Sequence, residues 1–152
     1  MTGWGATRYT TRYTTVRFVD TNVLLYAISR DEGERDKAQR ANDILDEGDI
    51  GLSVQALQEF YLQATRSSRR DRLTHEQAMS LVESFLRFPT ADLTPPIMRA
   101  AFETRDRFGI SYWDAAIIEA ARALECEVVL SEDLNDGQDY AGVRVENPFR
   151  GL

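Results

Sequence analysis

Cysteine and histidine occur once each among the 152 residues, as Cys126 and His75. A single thiol excludes an internal disulfide, and one Cys with one His cannot build a Cys/His zinc centre without borrowed ligands. Lysine is as scarce: Lys37 stands alone, and every other basic residue is Arg. Positive charge is short overall, with 18 Lys plus Arg against 25 Asp plus Glu and a formal net charge of −7. Affinity for nucleic acid through bulk charge needs Lys and Arg to displace counterions from phosphates, so any contact with DNA or RNA has to come from a local patch or a metal site. No apolar run approaches the roughly 18–20 residues of a membrane span. The N-terminus also lacks the apolar core of a signal peptide, so the expectation is a cytoplasmic protein in reducing surroundings.

The length fits one domain, and hydrophobic and charged shares of 43% and 28% belong to a folding chain rather than a disordered one. Residues 1–15 stand apart, being rich in Gly, Thr, Arg and Tyr and nearly repeating Thr7-Arg8-Tyr9-Thr10 as Thr11-Arg12-Tyr13-Thr14. They read as a flexible N-terminal extension to a domain at 16–152. Val16-Arg17-Phe18-Val19 is strand-like, stops at the polar Asp20-Thr21-Asn22, and gives way to a helix beginning with Val23-Leu24-Leu25. Helical spacing returns over 36–47, ending at Gly48, and over 54–66, with a short strand at 50–53 between them. Thr74 and Gln77 form a capping box for a helix to about Phe88, with Ala78, Leu81, Val82, Phe85 and Leu86 as its apolar stripe. A strand at 91–93, a helix from Thr94-Pro95-Pro96 to Gly109, a helix from Ser111 to about Leu124, and strands at 127–130 and 143–145 complete the series. Strands separated by helices predict an α/β fold with a mainly parallel sheet. Ligands of such sheets bind beyond the carboxyl ends of the strands, where Asp20 and Asp133 fall.

Four acids can meet in that arrangement: Asp20, Glu59, Asp114 and Asp133. Each has a structural reading as well. Asp20 can cap a helix, Asp114 can partner Ser111 in a capping box, Glu59 can be a solvated helix charge, and Asp133 can belong to a turn with Asn135, Asp136 and Gly137. Carboxylates brought together repel one another unless a cation neutralises them. Oxygen donors without a Cys/His cluster suit magnesium or manganese, which can polarise a phosphodiester and activate water.

The run Phe18-Val19-Asp20-Thr21-Asn22-Val23-Leu24-Leu25-Tyr26-Ala27 resembles the opening motif of PIN-domain ribonucleases, especially VapC-type toxins of toxin–antitoxin pairs. Three further segments resemble the later motifs in order: 53–61 around Glu59, 111–118 around Asp114, and 130–134 around Asp133. The resemblance spans about residues 16–149. It implies a three-layer α/β/α sandwich and magnesium-dependent endonucleolytic cleavage of RNA, with Mn2+ as an alternative ion. By position, Asp20 and Asp114 would be the metal ligands, Glu59 and Asp133 would complete the acidic site, and Thr21, Asn22 and Ser131 would orient it. A cognate antitoxin and a homodimer are implied as well. At the fourth motif the family often has a basic residue before the acid, whereas this chain has Glu132, and Asp136 is a competing carboxylate.

For RNA, Arg66, Arg69, Arg70 and Arg72 form a local basic segment, with Arg105 and Arg107 as secondary candidates. Tyr112 and Trp113 are expected to pack in the core rather than stack on bases; His75 is expected at the surface and Cys126 as a small apolar residue before a strand. The alternatives are a degenerate PIN fold used only for binding, and aspartate-based phosphotransfer. A haloacid-dehalogenase-type phosphatase would place Asp where Asn22 stands, and a phospho-receiver would want a Lys at a late strand end, whereas Lys37 lies on an early helix.

Overall fold

The computed structural model describes residues 16–152; the expected N-terminal extension at 1–15 lies outside the described residues. Six strands form one sheet in the order β3-β2-β1-β4-β6-β5, with β1 at Arg17–Val19, β2 at Ile50–Ser53, β3 at Thr90–Ala91, β4 at Val128–Leu130, β5 at Asp139–Tyr140 and β6 at Val143–Glu146. All neighbouring pairs are parallel except β5 with β6. The helices are α1 at Thr21–Ala27, α2 at Arg35–Glu47 after a 3-10 turn at Glu32–Glu34, α3 at Val54–Thr65, α4 at His75–Phe85, α5 at Pro95–Phe108 and α6 at Tyr112–Ala123.

Alternation along the central strands sorts the core into two layers. Val19, Val128 and Leu130 point to a cluster with Val23 and Leu24 of α1, Ile44 of α2, Phe60 of α3 and Phe85 of α4. Phe18 and Val129 point the other way, to Ile117, Ile118 and Ala121 of α6. With a side-chain period of 2, both faces of the short strands are apolar because helices cover both. The result is the three-layer α/β/α sandwich. Small residues at Ala115, Ala116, Ala120 and Ala121, all buried, let α6 lie close to the sheet and to α5. Among the described residues no helix is long and apolar enough to cross a membrane.

Four expectations need correcting. β3 occupies 90–91 rather than 91–93, since Leu52 N–H bonds to Pro89 C=O and registers β2 against Thr90, while Asp92 and Leu93 are already exposed. Helix α4 stops at Phe85: the chain then turns tightly, with Phe88 N–H bonding to Phe85 C=O, which buries Phe88 and leaves Leu86 outside the apolar stripe, 45% exposed. Strand β5 was not expected. It pairs with β6 across Ala141 and Gly142, both at positive φ (53° and 99°), as a two-residue type I′ hairpin turn requires. Finally, Trp113 is 63% exposed rather than packed in the core: it stands in the first turn of α6, where its side chain lines the cavity described below.

Candidate active site

Strand β1 leads to β2 on one side of the sheet and pairs with β4 on the other, so the chain reverses direction across the sheet at the β1/β4 boundary. Crevices form at such a switch point. Asp20 ends β1 there and Ser131 to Asp133 follow β4. Asp20 N–H bonds to Leu130 C=O at 3.0 Å, locking the two strand ends together.

The Asp20 carboxylate is buried and doubly used. Oδ1 accepts from Thr21 N–H at 2.8 Å, closing the N-terminus of α1, while Oδ2 accepts the Ser131 hydroxyl at 2.8 Å. The capping reading of this residue is therefore realised, and the same carboxylate lines the crevice. Asn22, two residues on, spans the crevice. Its amide nitrogen lies 3.2 Å from Ser131 Oγ, 3.2 Å from Asp133 Oδ2 and 3.4 Å from Asp20 Oδ2, and its Oδ1 accepts from Glu132 N–H at 3.2 Å. Ser131 Oγ also accepts from Asp133 N–H at 3.1 Å.

Thr21 reaches across to α3, with its hydroxyl 3.1 Å from Ala56 C=O and 3.3 Å from Glu59 Oε2. The other Glu59 oxygen accepts from Gln55 at 3.1 Å, and the same Gln55 amide lies 3.3 Å from the Trp113 carbonyl at the start of α6. Ser111 caps α6 by accepting from Asp114 N–H at 3.1 Å, without the return bond that Gln77 makes in the complete capping box of α4. The Asp114 carboxylate is thus left to the crevice. All four acids line one cavity of about 220 Å3 with Thr21, Asn22, Gln55, Gln63 and Trp113.

Burial, above all, pushes the Asp20 carboxyl up from 3.8 to about 6; the Ser131 and Thr21 hydrogen bonds oppose this, and the negative charges of Asp133 and Glu59 add to it. Among the described residues no Lys or Arg lines the cavity to relieve that repulsion. The polar groups facing it are carboxylates, amides and a hydroxyl. That chemistry fits a hard divalent ion. Among the described residues no three acidic, His or Cys side chains are drawn close enough to enclose an ion. An open ring of acids corresponds to the magnesium habit of keeping several waters and taking one or two carboxylates, rather than to a closed protein cage.

Several expected or competing residues stand elsewhere. Asp136 pairs with Arg150 and accepts from Asn147 N–H at 2.9 Å, and does not line the cavity. None of Arg66, Arg69, Arg70 and Arg72 lines it either: Arg66, Arg70 and Arg72 are exposed, and Arg69 is 3.1 Å from Asp71. His75 is exposed, its Nδ1 2.7 Å from the Tyr61 hydroxyl, and Cys126 is buried. Gln55, Gln63 and the exposed Trp113 were missed as cavity residues. Gln55 had one signal, its position a helical turn before Glu59.

A PIN domain family model matches residues 17–139. No curated protein sequence matches the chain. Among solved structures, a toxin–antitoxin complex from Klebsiella pneumoniae is similar at 18% identity and a TM-score of 0.63, covering 88% of this chain and 98% of that one. The Mycobacterium tuberculosis toxin VapC20, described as cleaving the sarcin-ricin loop, is similar at 15% identity and 0.60, covering 77% and 89%. DNA-bound VapBC from Salmonella typhimurium is similar at 20% identity and 0.60, covering 89% and 99%. With the family model spanning most of a three-layer sheet whose carboxyl edge gathers four acids, the chain belongs to the PIN-domain family.

Proposed function

We propose that the chain is a divalent-metal-dependent endoribonuclease and the toxin of a VapBC-type pair, held inactive by a cognate antitoxin and assembling as a homodimer. The observation that carries this reading is the cavity that Asp20, Glu59, Asp114 and Asp133 line together, with no basic residue beside them among the described residues. Similar solved structures include toxin–antitoxin complexes, and one similar toxin is described as cleaving the sarcin-ricin loop.

In this reading Asp20 and Asp114 hold the ion, Mg2+ or in its place Mn2+, and Glu59 and Asp133 complete the acidic ring. The ion supplies charge to polarise the phosphodiester and to lower the pKa of water. The rest falls to the chain. Ser131 and Thr21 N–H hold both Asp20 oxygens in fixed directions. Asn22 sets Asp133 relative to Asp20, and Thr21 with Gln55 fixes Glu59. Such supporting bonds keep ligating carboxylates oriented. Water oriented by these acids attacks phosphorus and leaves a 5′-phosphate and a 3′-hydroxyl. Trp113, exposed on the cavity rim, offers a face on which an unpaired base can stack. Arg66, Arg70 and Arg72 are exposed at the surface, where they can contact phosphates away from the acids.

The test is sequencing the ends of RNA incubated with purified protein, with and without Mg2+. Asp20→Asn should abolish cleavage and growth inhibition while the protein still folds. Full Mg2+-dependent activity in Asp20→Asn would sink the assignment, and tight RNA binding without cleavage by the wild type would favour a fold used only for binding.

A further inference from the structure

The residue between Ser131 and Asp133 is a fifth acid, Glu132, and it does not line the cavity. Its side chain turns instead to Tyr26 on α1 and Lys37 on α2. Oε2 lies 2.6 Å from Lys37 Nζ on α2, and Oε1 accepts the Tyr26 hydroxyl at 2.5 Å. Lys37 is also 3.3 Å from the Tyr26 hydroxyl and 4.9 Å from its ring centroid, and the ring is held edge-on against Phe149 at 4.8 Å. The sole lysine of the chain is thus committed to one carboxylate. Both partners are about a quarter exposed, so the ion pair itself adds little to stability.

Its geometric consequence is larger. Tyr26 stands one helical turn beyond Asn22, so α1 grips the same loop twice. Asn22 takes the Glu132 N–H and donates to Asp133, while Tyr26 takes the Glu132 side chain. If the loop rolled over, Glu132 would bring its longer side chain to the acids and carry Asp133 away. We propose that Lys37 and Tyr26 form a clamp that selects which of two adjacent carboxylates is presented to the cavity, withholding Glu132 and presenting Asp133. They are positioning residues. The inference rests on the nuclease reading only for its effect on catalysis.

The experiment uses the full chain as wild type, Lys37→Met, Lys37→Arg and Tyr26→Phe, reading amide hydrogen exchange and RNA cleavage in Mg2+. In Lys37→Met the amides of Glu132 and Asp133 should exchange about fivefold faster or more, while those of Val129 and Leu130 keep their wild-type rates. Turnover should fall about tenfold with KM within about twofold, the signature of a misplaced group rather than lost binding. Tyr26→Phe should show the same pattern more weakly, and Lys37→Arg should stay near wild type. Unchanged exchange at Glu132 and Asp133 in Lys37→Met would overturn the clamp, as would acceleration shared equally by β4. A wild type that cleaves no RNA overturns the nuclease reading instead, and the exchange rates still decide the clamp.

Discussion

Asp20 closes α1 with one carboxylate oxygen and receives Ser131 with the other, yet burial keeps its carboxyl near about 6 instead of 3.8. A folded-state pKa raised above the unfolded value means that folding favours the protonated acid. The stabilising contribution is present below about pH 4 and is lost as pH rises through about 6. In chelator, wild type should lose about 3 kcal/mol relative to Asp20→Asn across that window, measured by urea unfolding. A difference between the two proteins that stays flat with pH would show that the carboxylate is not disfavoured by its surroundings. Adding Mg2+ at pH 7 should return part of the loss to the wild type only. The acids were legible because each sits in a short local motif. Gln55 and Trp113 were not, since their roles arise only when α3 and the first turn of α6 are brought together. Asp133 could not be separated from Asp136 in the sequence, and the Arg150 and Asn147 contacts of Asp136 make the separation.

Capping at the level of whole helices separates stability from placement of the acids. Thr74 caps α4 and Ser111 caps α6, each with a hydroxyl accepting from the third helical N–H, at 3.1 Å in both. Thr74→Ala and Ser111→Ala should each cost about 1 kcal/mol in urea unfolding. Only Ser111→Ala should also slow RNA cleavage, because its partner is the backbone of Asp114; equal activity in the two variants would remove Ser111 from that role. The β5–β6 hairpin gives a second element-scale case. Ala141 sits at φ 53°, where a Cβ is strained, held there by Arg122, which donates to the carbonyls of Tyr140 and Ala141 at 2.7 Å each. Arg122 is itself anchored on the buried Glu119. Ala141→Gly should raise stability by up to about 1 kcal/mol by thermal or urea unfolding. The helices and longer strands were legible from apolar period and caps. A strand of two residues carries no period to read, so β5 escaped and β3 was displaced.

For the molecule as a whole, a net charge of −7 limits how many phosphates can be neutralised at once. The logarithm of RNA affinity of Asp20→Asn should therefore fall with log salt at a slope of about −2 or shallower, measured by anisotropy between about 50 and 300 mM NaCl. A steep slope would point to a basic groove that the exposed arginines assemble. The mainly parallel sheet was legible because β-branched runs alternate with amphipathic segments, and its three layers from the family resemblance. The switch point was legible only as a rule about strand ends, since strand order depends on pairings that no local pattern encodes. That sheet ends on both sides in strands of two residues, β3 and β5. An incoming extended peptide would find few main-chain partners on either edge, so strand addition offers little affinity and little template for self-association. Among the described residues, a protein that captures this chain would recognise it mainly by side chains on its helices and loops, and selectivity among partners would be written there rather than in the sheet backbone.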